Sequence, residues 1–217
     1  MSVTLILFCK KPAPGIGKQR LAETLGTNAA LRIASLLHDC ALEQLRLWRG
    51  PKVLATAVAA DVDGYRQCYP DIDRVLAQPA GSLGERINHI DRIMRSEGHE
   101  RQIIIGSDTP EQTPARLEEA ASGLERHDIF LAPATDGGVS LMATRRGWPD
   151  LGPLPWSTGE LGEALARSCA DSGLDVGWGH ACPDVDLPSD LVRLKRSLAA
   201  DRRPAQRALH ALLQELI

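Results

Sequence analysis

Aromatic residues, surplus charge of one sign, paired cysteines and long apolar runs are all scarce in this chain. Each shortage closes off a class of function. Only 4% of its 217 residues are Phe, Tyr or Trp, which leaves few stacking platforms for a reader of single-stranded nucleic acid. Lys and Arg number 25 against 28 Asp and Glu, a formal net charge of −3, so there is no basic field to hold a nucleic-acid backbone. The five cysteines (Cys9, Cys40, Cys68, Cys169, Cys182) are odd in number, widely spaced and form no C-x-x-C. They support neither a disulfide framework nor a structural zinc site, and reduced thiols in a cytoplasmic protein are the simpler expectation. The six histidines (His38, His89, His99, His127, His180, His210) show no ligand spacing. Neither G-x-S-x-G nor H-E-x-x-H occurs, so the common local hydrolase signatures are missing. The apolar run Val3–Phe8 meets Lys10 and Lys11 after about six residues, too short for a signal h-region or a membrane span. A small anion is therefore a better partner than a nucleic acid or a membrane.

What is present is an alternation. Short β-rich runs at Val3–Phe8, Val53–Val58, Arg74–Ala77, Gln102–Ile105, Ile129–Ala132 and Val139–Ala143 are separated by helical patterns. Several runs are continuously apolar, as in strands covered on both faces. Helices are expected from Asn28 to Trp48 with Thr27 as N-cap, from Leu83 to Ser96, and from Thr113 to Glu125 with Pro114 at the first helical position. Ser189 is expected to cap a further helix, and Arg202-Arg203-Pro204 to start a last one ending at Leu216. The fold class is then α/β, a three-layer αβα arrangement around a mainly parallel sheet. Ligands in such sheets sit beyond the carboxyl ends of strands, near a topological switch point.

The segment from Phe8 to Leu21 carries the strongest chemical signal. A buried strand feeds a Pro/Gly loop with four cations in eleven residues (Lys10, Lys11, Lys18, Arg20) at the start of a helix. Glycines admit backbone N–H groups to an anion, a helix N-terminus carries partial positive charge, and Lys and Arg add full charges. This pattern suits a polyphosphate cradle, although a loop of solvated charges has similar composition. It is not a Walker A loop, because Pro12 stands five before Gly17 and Gln19 follows Lys18. Nor is it a dinucleotide fingerprint, because Arg20 replaces the third glycine.

Three acidic stretches complement it. Ile103-Ile104-Ile105-Gly106-Ser107-Asp108 reads as a central strand with a carboxylate at its tip, placed either to hold Mg²⁺ or Mn²⁺ or to cap a helix starting near Pro110. Asp136-Gly137-Gly138 is either a hairpin turn or a glycine-floored pocket in which Asp136 meets an acceptor hydroxyl or sugar. In Asp184-Val185-Asp186 the two carboxylates share one side of an extended segment, and either could complete a metal shell begun by Asp108. Ser189 and Asp190 fit helix capping better. Gly81–Arg86 reads as a glycine-rich turn into a helix, with Arg86 a candidate base or phosphate contact. Leu154–Thr158 reads as a closing loop with Trp156 as a stacking surface.

In this order the motifs resemble a family of GT-A-like nucleotide-diphospho-sugar transferases related to the molybdenum-cofactor and phospholactate guanylyltransferases. The resemblance runs through Lys10–Leu21, Gly81–Arg86, Gly106–Pro110, Pro133–Gly138, Trp156–Thr158 and Asp184–Leu191, spanning about residues 3 to 195. The chain departs from the family pattern at Gln19 (usually Thr), Gly17 (often β-branched) and Val139 (usually aromatic). The resemblance implies a Rossmann-like GT-A domain over residues 1–200; residues 201–217, whose last helix lies outside the resemblance, are expected as a C-terminal helical extension of the same domain. It implies nucleotide contacts at Lys10, Pro14, Gly15, Lys18, Arg20, Gly81, Arg86 and Ser107, metal ligands at Asp108 and Asp186, and catalytic roles for Asp136, Lys18 and Arg20. The implied activity is a Mg²⁺- or Mn²⁺-dependent transfer from an activated nucleotide. Either a sugar moves from a nucleotide-sugar to a small acceptor, or a nucleotidyl group moves from an NTP to an acidic small molecule. A nucleotide-binding domain without turnover is a third reading. Expected partners are the donor and a small-molecule acceptor, with no nucleic acid and no membrane span; a homodimer is an open alternative to a monomer.

Overall fold

The computed structural model describes residues 2–217. Its first strand, β1 (Thr4–Cys9), is buried at every position. Side chains alternate along it: Leu5, Leu7 and Cys9 enter one core, Ile6 and Phe8 the other. The remaining strands are β2 (Lys52–Thr56), β3 (Arg74–Ala77), β4 (Gln102–Ile105), β5 (Ile129–Pro133), β6 (Val139–Thr144) and β7 (Val176–Trp178). They form one sheet in the order β3-β2-β1-β4-β6-β5-β7. All neighbouring pairs are parallel except those made by β6, which runs against β4 and β5. The chain moves outward from β1 to β3 and then returns to place β4 on the other side of β1. That reversal makes the β1/β4 boundary the switch point where a crevice opens.

The helices are α1 (Gln19–Leu25), α2 (Thr27–Leu47), α3 (Val62–Cys68), α4 (Leu83–Ser96), α5 (Pro114–Arg126), α6 (Leu161–Asp171), α7 (Pro188–Ser197) and α8 (Pro204–Leu216). One sheet face packs on α2, α3 and α5 through Leu42, Leu45, Tyr65, Leu117 and Leu124. The other packs on α4 and α6 through Ile87, Ile90, Met94, Leu165 and Cys169. This is the expected three-layer α/β, GT-A-like architecture. A third cluster joins Leu21 of α1, Ile33 and Leu37 of α2, Leu191 and Leu194 of α7, and Leu209, Leu212 and Leu213 of α8.

Local chemistry explains where the elements begin. Ser82 and Glu85 form a reciprocal capping box on α4. Thr113 caps α5, its Oγ1 accepting from Arg116 N, with Pro114 at the first helical position. The expected cap at Thr27 is corrected: Thr27 is the first residue of α2, and Gly26 (φ 84°) stands at the N-cap without any side-chain bond. That glycine breaks α1 from α2, because its left-handed φ ends a right-handed helix. Ser189 likewise lies inside α7, whose N-cap is Leu187. The carboxylate of Asp190 instead accepts from the backbone N–H groups of Asp186 and Leu187. Among the described residues no helix is long and apolar enough to cross a membrane.

Candidate active site

A cleft of about 710 Å³ opens at the carboxyl edge of the sheet, over the β1/β4 boundary, within the range of small-molecule sites. Phe8, Ile104 and Met142 form part of its floor. Its polar lining includes Lys10, Lys18, Arg20, Gln78, Arg86, Ser107, Asp108, Asp136, Asp184 and Asp186. Pro14, Gly15 and Gly81 are not in that lining. Gly15 and Gly81 instead offer their carbonyls to Gln19 Nε2 and Arg86 Nε respectively.

The cationic loop leaves β1 and turns tightly, with Ile16 N donating to Ala13 O at 3.0 Å. Gly15 (φ 73°), Gly17 (φ 71°) and Lys18 (φ 49°) all have left-handed backbones, a conformation glycine adopts freely and lysine does not. Lys18 then begins α1, its carbonyl accepting from Ala22 N. Its side chain is only 8% exposed, whereas those of Asp108 and Asp186 are 53% and 49% exposed. Lys18 Nζ lies 2.7 Å from Asp108 Oδ1, 2.8 Å from Asp186 Oδ1 and 2.6 Å from Val185 O. Burial alone would pull the ammonium's pKa down, but Asp108 and Asp186 outweigh it and hold it above its ordinary value. The three donors of the ammonium are therefore all engaged.

The two acidic loops are held in register by arginines. Arg193 of α7 pairs with Glu111 and donates to Asp184 O at 3.0 Å, while Val185 N donates to Asp108 O. Arg203, just before α8, donates to Gln112 O at 2.6 Å, Pro110 O at 3.4 Å and Gln44 Oε1 at 3.1 Å, and pairs with Asp201. Val185 is fully buried between Asp184 and Asp186, which turns both carboxylates to the cleft, as alternation requires. Burial, with Asp136 and Asp186 nearby, raises the Asp184 carboxyl above its usual range.

Asp136 sits exposed in the β5–β6 hairpin, its Oδ1 accepting from Gly138 N at 2.9 Å. Both sequence readings of this motif thus meet in one place: it is a hairpin turn, and the turn lines the cleft. Gly137 (φ 88°) packs against the next loop so closely that a Cβ would stand 2.1 Å from Gly159 O. The far wall is the loop carrying Trp156, whose Nε1 donates to Leu151 O at 2.8 Å. Asn88 of α4 anchors that loop by donating to Pro149 O and accepting from Leu151 N. Gly84 permits the contact, since a Cβ there would lie 2.0 Å from Leu151 O.

Several participants carry no local sequence signal. Gln78, one residue past β3, donates through Nε2 to Ala55 O at 2.7 Å and Cys9 O at 3.4 Å. Arg193 and Arg203 act across the fold, and nothing in their neighbourhoods announces it. Asp108 does not cap a helix, because α5 begins at Pro114 and Thr113 is its cap. Cys9 lines the cleft as well, but burial pushes its thiol up to about 12 despite the Tyr65 contact, so it is no nucleophile.

Among the described residues no three His, Cys, Asp or Glu side chains gather as a metal cluster. The pair Asp108 and Asp186 nevertheless converges on one cation, since both reach the same ammonium within 2.8 Å. Two carboxylates completed by water and phosphate oxygens are a normal donor set for Mg²⁺. The residues therefore fit a divalent ion that shares its shell with a ligand.

The family model described as "uncharacterized protein conserved in bacteria" (DUF2064) matches residues 40–158. No protein of curated function matches the chain. Among solved structures, a proposed nucleotide-diphospho-sugar transferase from Desulfovibrio desulfuricans G20 superposes with a TM-score of 0.88 at 25% identity. The alignment covers 100% of this chain and 99% of that one. CMP:2-keto-3-deoxy-manno-octonic acid synthetase complexed with CTP follows at 0.53 and 16%, covering 94% and 100%. A nucleotidyl transferase from Methanothermobacter thermautotroptrophicus gives 0.54 and 15%, covering 90% and 97%. The last two likenesses are of fold.

Proposed function

The chain belongs to the DUF2064 family, and from that premise we propose that it is a metal-dependent transferase acting on an activated nucleotide, with sugar transfer as the leading reaction. The observation that carries the reading is the meeting of Lys18, Asp108 and Asp186 at the switch-point cleft. These residues lie up to 168 positions apart in sequence; with a divalent ion on the two carboxylates and the ammonium released to the phosphates, they would grip a diphosphate from two sides. Lys10 and Arg20 line the same cleft and, among the described residues, make no ion pair, so they offer full charges to phosphate oxygens. Mg²⁺ or Mn²⁺ held by Asp108 and Asp186 would supply further charge neutralisation on the phosphates.

The apolar wall of Trp156, Leu161 and Val139 beside Asp136 suits a sugar, whose ring stacks on an indole while a hydroxyl meets the carboxylate. In sugar transfer, an acceptor oxygen bonds to the anomeric carbon as the bond from that carbon to the nucleoside diphosphate breaks. Asp136 orients the acceptor and takes its proton, and the departing electron pair stays on the diphosphate, near Lys10, Lys18 and Arg20. A second reading, nucleotidyl transfer, is favoured by the number of cations in the cleft. Lys10, Lys18, Arg20 and Arg86 are enough for a triphosphate, with attack at the α-phosphorus and pyrophosphate leaving.

Thermal shift with nucleotides and nucleotide-sugars in the presence of Mn²⁺, followed by product analysis, tests the proposal. A donor at about 100 times its Kd should stabilise the protein by about 2.7 kcal/mol. Release of a nucleoside diphosphate marks sugar transfer and release of pyrophosphate marks nucleotidyl transfer. Asp108→Asn should remove the Mn²⁺ dependence. If no nucleotide or nucleotide-sugar raises the melting temperature with either metal, the proposal is wrong.

A further inference from the structure

We propose that Lys18 is an exchangeable counter-ion of the Asp108–Asp186 pair: it occupies the metal position while the cleft is empty and swings to the donor's phosphates when a divalent cation takes that position. This rests on the reading of the cleft as a metal and nucleotide site. Two observations carry it. The first is occupancy. The Lys18 ammonium lies within 2.8 Å of both carboxylates, so Lys18 and a divalent ion cannot use the two inward oxygens together. A metal entering the empty cleft must therefore compete with an internal cation already seated at hydrogen-bond distance.

The second is how the loop is held. Among the described residues, the hydrogen bonds of residues 10–17 stay within the loop and the start of α1. Lys18 makes the outward ties, to Asp108, Val185 and Asp186. Gly15 and Gly17 supply two left-handed glycines just before Lys18, backbone that can re-form with little loss when those ties are released, while Lys18 itself holds a left-handed φ that lysine does not favour. Once displaced, the ammonium must find an anion or return to water, because an unpaired charge inside the protein is costly. The phosphates of a donor are the anion the cleft would bring to it. Metal should then bind weakly to the empty protein and tightly with nucleotide.

Mn²⁺ binding followed by electron paramagnetic resonance provides the test, with no need for turnover. Without nucleotide, Lys18→Met should bind Mn²⁺ about tenfold more tightly than the unmodified protein, since a close competing charge is gone. Lys10→Met, which removes a cleft cation not paired with the carboxylates, should change the affinity by less. Adding Asp108→Asn to Lys18→Met should abolish the gain. Unchanged or weaker Mn²⁺ binding by Lys18→Met overturns the proposal. Should that variant fold poorly, acylation of Lys18 in the unmodified protein, read by peptide mass spectrometry, replaces it. Labelling should be slow alone and several-fold faster with Mn²⁺, and no change at saturating Mn²⁺ overturns the exchange. The two readings fail separately. Donor binding with Mn²⁺ but unaltered Lys18 labelling removes only the exchange. A gain in Mn²⁺ affinity for Lys18→Met without binding of any nucleotide removes only the transferase reading.

Discussion

His38 illustrates how a single buried ring can govern the acid limit of this protein. It is 6% exposed, its Nε2 lies 2.9 Å from Tyr65 Oη, and its Nδ1 is buried without a partner. Burial, with Lys11 nearby, pulls its pKa from 6.5 down to about 4. As the pH falls, the unfolded chain therefore takes up this proton before the folded one does. The contribution of His38 is intact above about pH 6.5 and is lost progressively towards pH 4. Between pH 7 and pH 5 that single group should cost about 2 kcal/mol of unfolding free energy. Urea titrations at the two pH values check this, and His38→Gln should flatten the difference. An equal loss in the variant would assign the acid sensitivity to other groups. Tyr65 also contacts Cys9 at the end of β1, so the same network reaches the rim of the cleft.

Among the elements, α8 does more than close the chain. Arg203 at its entrance and Gln206 in its first turn both donate to Pro110 O, two residues beyond Asp108. Arg203→Met would leave Asp201 without its half-buried partner and free the carbonyl of Gln112, at a cost of about 3 kcal/mol. It should also weaken Mn²⁺ binding, while Arg203→Lys keeps part of both. Chemical denaturation alongside metal titration measures the pair, and a loss of stability with Mn²⁺ affinity untouched would confine Arg203 to a packing role. None of this was legible in the sequence, because Arg203 and Pro110 are 93 residues apart and no local pattern links the Gly106–Pro110 motif to the start of the last helix. Elements with long apolar patterns or strong caps were legible. β3 and β4 match the expected Arg74–Ala77 and Gln102–Ile105 residue for residue, and α4 matches Leu83–Ser96. What escaped was short or weakly marked. β7 has three residues, one of them Gly177; α3 has seven; α6 starts at Leu161, and its N-cap Glu160 makes no side-chain cap bond. The Gly-Ser-Asp and Asp-Gly-Gly motifs lie at strand ends, where local pattern does fix position, so their place at the cleft could be read in advance. That the carboxylates face an ammonium of their own chain could not.

Across the whole molecule, two of the three buried clusters share α2: its Leu42 and Leu45 enter the first, its Ile33 and Leu37 the third. Helix α8 contributes Leu209, Leu212 and Leu213 to that third cluster, so residues 201–217 are expected to unfold with the sheet in one step. Tryptophan fluorescence and far-UV circular dichroism should give coincident denaturant midpoints. Hydrogen exchange of 204–216 should match that of β1, whereas early exchange confined to that helix would make it a separate appendage. The antiparallel β6 adds a further demand, because the hairpin bearing Asp136 is in place only once β5 and β6 pair beside β4. The cleft is thus assembled from the loop after β1, the tips of β4 and β5, and the segment just before α7. A ribosome-bound chain that has not yet released residue 186 lacks one end of the Lys18 bridge, whatever else has condensed. That bridge therefore closes late in synthesis, only after every strand of the sheet has emerged and before α8 has.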